Sequence, residues 1–142
     1  MIIEYDIDLY GTKSLKKITN KYLKKLPEDV TTIVSTGSSG CSIATSLLLK
    51  SKRELKHSYI RKPCYRSHSC RTRNISNNDI VAIADDFIQS GGTIKRILNM
   101  LKNLNGNFKI KYIMVNDINY GNNEDYFRKL YRKKGIELII VK

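Results

Sequence analysis

Two adjacent carboxylates, Asp85 and Asp86, end a short apolar run, and Gln89, Ser90, Gly91, Gly92 and Thr93 follow just before an apolar-periodic stretch begins. The order reads as a strand, a tight turn and a helix N-terminus. Backbone N–H groups, the helix dipole and the Ser90 and Thr93 hydroxyls favour an anion at such a turn. The paired acids suit hydroxyl groups or a metal ion. A plain strand–turn–helix junction would also use Asp, Ser and Gly here, as cap and turn formers. The contiguous match over residues 81–94, in the right local context, favours the chemical reading.

A second stretch, residues 33–44, reads IVSTGSSGCSIA. A β-branched run leads into Thr36, Gly37, Ser38, Ser39 and Gly40, and an apolar segment follows. Small residues let the backbone approach an anion closely, with N–H and hydroxyl donors. An ordinary turn with a serine cap is the competing account. This loop carries no Lys or Arg. A third cluster is basic: Arg61 and Lys62 end a short run, and Arg66 and His68 follow in a polar segment.

These residues need elements to position them, and the hydrophobic period changes repeatedly along the chain. Residues 1–7 read as a short strand or an arm, and residues 14–26 as a helix stopped by Pro27. The pattern predicts strands over 32–35, 57–62, 80–84, 108–115 and 136–141. It predicts helices over 41–49, 93–104 and 123–134, with a turn over 37–40. Residues 63–78 lack periodicity and read as a long loop of the kind that serves as a lid or binding loop. Strands alternating with helices at these lengths predict one α/β domain over 1–142. Its sheet is mostly parallel, with about five strands and helices on both faces. Ligands on such sheets gather at the C-terminal strand ends. That places candidate sites after Ser35, Lys62, Ala84 and Val115.

The 142 residues suffice for one sizeable core, and no apolar run reaches the length of a membrane span. The start, MIIEYDIDLYG, has acids where a signal peptide has a basic region, which predicts a cytoplasmic protein without a membrane partner. Three cysteines, Cys41, Cys64 and Cys70, make no disulfide framework. Cys64, His68 and Cys70 lack a fourth zinc ligand at suitable spacing. The net charge of +13 implies an anionic partner. From Lys50 to Arg73 there are nine Lys or Arg against one acid, Glu54. A nucleic-acid surface and a field for a phosphorylated small substrate both fit that run. Its sparse aromatics, Tyr59 and Tyr65, favour the small substrate.

The acidic motif, the Gly-Ser loop and the Arg-Lys strand end together resemble type I phosphoribosyltransferases, over residues 32–115. The third match is similar to the orotate branch, in which a strand ending in Arg-Lys runs into a mobile loop. The resemblance implies transfer of ribose 5-phosphate from phosphoribosyl pyrophosphate (PRPP) to a nucleobase, with magnesium. It implies that Asp85 and Asp86 hold the ribose hydroxyls and the metal, directly or through water. Gln89, Ser90, Gly91, Gly92 and Thr93 would take the 5′-phosphate. Thr36, Gly37, Ser38, Ser39, Gly40, Arg61 and Lys62 would take pyrophosphate, with Arg66 and His68 closing over it as catalytic loop residues. A homodimer is implied as well. Orotate enzymes are longer chains with extra segments over the base, so the identity of the base stays open. A PRPP- or nucleotide-sensing regulator on the same fold, acting on RNA through its basic stretch, is the alternative.

Overall fold

The computed structural model describes residues 11–61, 74–118 and 123–142. The first predicted strand or arm, Lys62, Cys64, Arg66, His68 and Cys70 lie outside the described residues, as does most of the predicted long loop.

The elements run α1 (Thr12–Lys25), β1 (Thr32–Ser35), α2 (Gly37–Lys50), β2 (Lys56–Tyr59), β3 (Ile80–Ala84), β4 (Phe87–Ile88), α3 (Gly92–Lys102), β5 (Lys109–Val115), β6 (Asp117–Ile118), α4 (Glu124–Arg132) and β7 (Glu137–Ile140). Five strands form one sheet in the order β2-β1-β3-β5-β7, and every pairing is parallel. A parallel sheet covered on both faces needs strands that are apolar throughout. β1 is buried at all four positions, and β3 at four of five.

The pleat divides the core in two. Ile33, Ala82, Ala84 and Met114 face one way, onto Ile18 and Tyr22 of α1 and Ile43, Ala44 and Leu47 of α2. Val34, Val81, Ile83, Ile113 and Val115 face the other way, onto Ile94, Ile97 and Leu101 of α3 and Phe127 and Tyr131 of α4. The helices therefore lie on both faces, as the alternation predicts.

Three features differ from the sequence-based expectations. The strand expected over 57–62 is Lys56–Tyr59; Ile60 still donates its N–H to the Ser35 carbonyl at 2.8 Å. The turn expected over 37–40 is the first turn of α2, which starts directly after the extended N-cap Thr36. The sequence reading also lacked β4 and β6, which pair in parallel as Phe87↔Asp117 and Ile88↔Ile118. Two residues are too few for a period to be read.

The basic run also sits differently. Because α2 starts at the C-terminal end of β1 and leads back to the start of β2, Lys50, Lys52 and Arg53 lie at the N-terminal end of the sheet. There the Arg53 guanidinium donates to the carbonyls of Pro27 (2.6 Å), Val30 (2.8 Å) and Glu28, holding the entry to β1. Lys56 pairs with the buried Asp79, which also accepts from Thr31 Oγ1 at 2.9 Å and the Ser76 N–H at 2.7 Å. This half of the run is structural or remote from the paired acids. It does not build a field beside them.

Candidate functional site

In an open parallel sheet a ligand crevice forms where the strand order reverses. Here the reversal lies between β1 and β3, so the crevice lies at the ends of those two strands. The two Gly-rich motifs follow these strands, about fifty residues apart in sequence, and the fold brings them into contact. A Cβ added to Gly40 would lie 3.1 Å from the Ala84 carbonyl oxygen, 3.2 Å from Ser35 Cβ and 3.7 Å from Asp85 Oδ1. A side chain there would force the first turn of α2 and the acidic strand end apart by a few tenths of an ångström.

The acids do not sit in a loose loop. Asp85 donates its N–H to the Met114 carbonyl at 3.0 Å, and Asn116 donates its N–H to the Asp86 carbonyl at 2.8 Å. β4 and β6 continue this pairing beyond the main sheet. Asp85 Oδ1 accepts the Asp86 N–H at 2.9 Å, and Asp86 Oδ1 accepts the Phe87 N–H at 2.9 Å. Both side chains are half-buried. Two neighbouring carboxylates repel unless hydroxyls or a cation meet them.

Each motif leads into a helix N-terminus. The N-cap residues Thr36 of α2 and Gly91 of α3 make no side-chain cap bond, and neither first turn holds an acid. By contrast, α4 in the same chain carries Glu124 and Asp125 there. Uncapped N–H groups and the positive end of the helix dipole at α2 and α3 are left for an anion from outside. Before α3, Gln89 and Ser90 are exposed, and Ser90 Oγ accepts the Gly92 N–H at 3.3 Å. Gly91 is in the left-handed region at φ 82°. Before α2, Thr36 Oγ1 donates to the Ile60 carbonyl at 2.7 Å, so the loop is tied to the end of β2. Arg61, two residues past the end of β2, is exposed.

The expected site residues thus fall into three sets. Thr36 to Gly40, Asp85, Asp86 and Gln89 to Thr93 gather around the strand ends. Arg61 stands at the end of the β2 segment. Lys62, Arg66 and His68 lie outside the described residues. Sequence reasoning missed Tyr22, Asn116 and Asp117. Tyr22, fully buried on α1, donates its hydroxyl to the Asp85 carbonyl at 2.6 Å. Burial, then the charges of Asp85 and Asp86, push its pKa well above the ordinary tyrosine value. Asp117 follows β5 as the acidic pair follows β3, and Lys142 pairs with it at 2.6 Å. The polar pair Asn116-Asp117 after an apolar run was the available signal. Tyr22 gave none, because its helical spacing marks it only as core.

Magnesium usually takes one or two carboxylates, substrate phosphates and water rather than an all-protein cage. The paired Asp85 and Asp86 fit that pattern. Among the described residues no group of three or more His, Cys, Asp or Glu is placed to hold a metal.

One further, half-buried group hydrogen-bonds to the end of β1. His57 Nε2 lies 2.7 Å from Ser35 Oγ, and burial lowers the His57 pKa below its ordinary value. The folded chain keeps the ring neutral, while the unfolded chain takes up the proton first as pH falls. The stabilisation is therefore whole above about pH 6.5 and is lost as pH drops through the folded value. We expect His57→Gln to flatten the loss of stability as pH falls below about 6.5, read by urea unfolding at each pH. Parallel stability–pH curves for the two proteins would show that the ring does not titrate differently on folding.

No protein-family model and no curated protein sequence matches the chain. Solved structures do. The chain is similar to orotate phosphoribosyltransferase from Aeropyrum pernix, at 16% identity, with 94% of this chain and 73% of that chain covered and a TM-score of 0.70. It is similar to orotate phosphoribosyltransferase from Mycobacterium tuberculosis H37Rv, at 10% identity over 94% and 74% of the two chains, with a TM-score of 0.72. Adenine phosphoribosyltransferase from Saccharomyces cerevisiae gives 17% identity over 93% and 80%, with a TM-score of 0.67. With the strand order and the placement of both motifs, these likenesses show that the chain has the type I phosphoribosyltransferase fold.

Proposed function

We propose that the chain transfers ribose 5-phosphate from PRPP to a nucleobase and releases pyrophosphate. The observation that carries this reading is the contact of Gly40 with Ala84 and Asp85. It sets one uncapped helix N-terminus directly against the paired acids, with a second beginning six residues beyond Asp86. PRPP has two anionic ends and a ribose between them, and the crevice offers groups for each in that order.

In this reading the turn from Gln89 to Thr93 takes the 5′-phosphate. The first turn of α2, Thr36 to Gly40, takes the pyrophosphate through backbone N–H groups and hydroxyls. Asp85 and Asp86 accept the ribose hydroxyls. Positive charge grows on the ribose as pyrophosphate leaves, and the fixed carboxylates favour it without reorganisation. Asn116 and Asp117 are the polar groups offered to the acceptor. Magnesium, when bound at Asp85 and Asp86, offsets charge on the leaving pyrophosphate. Positioning supplies the rest of the catalysis.

A second reading has one observation of its own. The first turn of α2 carries no Lys or Arg, which suits a protein that binds PRPP and senses it without turnover. One assay separates the two. Protein, magnesium and PRPP are incubated with a panel of purine and pyrimidine bases, and nucleotide products are read by mass spectrometry. Nucleotide formed with one base supports transfer. PRPP binding by calorimetry without any nucleotide would replace transfer with sensing, and no binding would remove both readings.

A further inference from the structure

α1 carries Lys13, Lys16, Lys17, Lys21, Lys24 and Lys25 and no acid. At 100° per residue, Lys13, Lys16, Lys17, Lys21 and Lys24 fall within about 140° of arc, and the only other residue there is Asn20. Lys13, Lys16, Lys17 and Lys24 are exposed. None of the five forms an ion pair among the described residues. Lys50, at the end of α2, borders the face by donating to Asn20 Oδ1 at 2.6 Å.

Such a face works against its own helix. Like charges three and four residues apart repel, and Lys13 sits at the positive end of the helix dipole. The number of lysines on one arc sets α1 apart: α3 has Lys95, Arg96 and Lys102 without an acid, and α4 partly balances its cations. There Glu124 pairs with Arg128 at 2.8 Å, and Asp125 shares the first turn.

We propose that this face of α1 is a docking surface for a nucleic-acid strand, held through its phosphodiester backbone without base readout. The side chains are all lysines, which meet phosphate as point charges and lack the planar fork of arginine. No exposed large apolar residue lies on α1, so bases have nothing to stack on there. The same fact argues against an anionic membrane, since an interfacial helix needs an apolar side to insert. The apolar side of α1, with Ile18 and Tyr22, is buried in the core shared with Ile43 and Leu47 of α2. The proposal is independent of the transfer reaction.

The test uses a fluorescent single-stranded oligoribonucleotide of mixed sequence, with anisotropy followed from low to physiological salt. Binding should fall steeply with salt. Replacing Lys13, Lys16, Lys17 and Lys24 with Gln should reduce the log–log salt slope by about 3 and weaken binding about a hundredfold at 0.1 M salt. A second variant, with Lys102, Lys109, Lys133 and Lys134 changed to Gln, removes the same charge from exposed positions elsewhere and should keep most of the affinity. Both variants should keep the wild-type circular dichroism, since the first only relieves repulsion. Equal losses in the two variants would show that net charge alone binds, and would overturn the surface. So would no binding at low salt, or lysine-dependent binding to phosphatidylserine vesicles in place of the oligonucleotide.

Discussion

Asp85→Asn combined with Asp86→Asn is expected to abolish the proposed transfer from PRPP, by about a thousandfold or more, while leaving the protein folded. The size follows from what loss of fixed electrostatic groups costs at a charged transition state, about a hundredfold to a thousandfold for a single donor. The fold should survive because each side chain's local bond needs only an acceptor oxygen. Asp85 Oδ1 accepts the Asp86 N–H and Asp86 Oδ1 accepts the Phe87 N–H, and the carboxamide oxygen of Asn can take the same bonds. Removing two adjacent negative charges also relieves their mutual repulsion. The melting temperature should therefore stay level or rise. The affinity for PRPP with magnesium should collapse, because a carboxamide carries no charge for the metal. The single variants should not sum to the double, since the two groups act on one ligand. Calorimetry showing wild-type affinity in a folded double variant would place the ribose elsewhere.

Much of this architecture can be read from the chain because its two central strands, β1 and β3, are buried on both faces. Ile80–Ala84 and Thr32–Val34 are apolar or β-branched throughout, and a covered parallel sheet calls for that. The acidic pair and both Gly-rich turns are legible for a related reason: helix N-termini at strand ends need small residues in sequence order. What could not be read is contact across the sheet. Tyr22 reaches Asp85 over 63 residues, and nothing in its helical spacing tells a core phenol from one that holds the site. β4 and β6 are two residues each and exist only because their partners lie alongside. The charge of the Lys50–Arg53 segment was visible but its location was not, because the return of α2 carries it to the far end of the sheet. The lysines of α1 become a surface only once the helix is placed, because the helical spacing is marked by Leu15, Ile18, Tyr22, Leu23 and Leu26.

Gly91→Ala should be among the most damaging single-methyl changes in the described structure, costing about 2–4 kcal/mol of stability. Two costs add. Gly91 has φ 82°, where a residue with a Cβ is strained by about 1–2 kcal/mol. The new methyl would also lie 2.9 Å from Phe127 Cε1 and 3.7 Å from the Tyr131 hydroxyl. Phe127 is buried and stacked on Tyr131, with ring centroids 6.0 Å apart, so it has little room to yield. Gly135→Ala separates the terms. Gly135 has φ 72° and nothing within 4 Å of an added Cβ, so its replacement costs the backbone strain alone. The difference between the two variants in urea unfolding measures how firmly α4 seats the turn before α3. In the proposed transfer reaction that seating matters, because the turn would present its N–H groups to the 5′-phosphate. Under conditions where Gly91→Ala remains folded, its affinity for inorganic phosphate and for PRPP should fall, while Gly135→Ala keeps both. Equal stability losses in the two variants would mean that the Phe127 ring gives way, and that the turn is not held by α4.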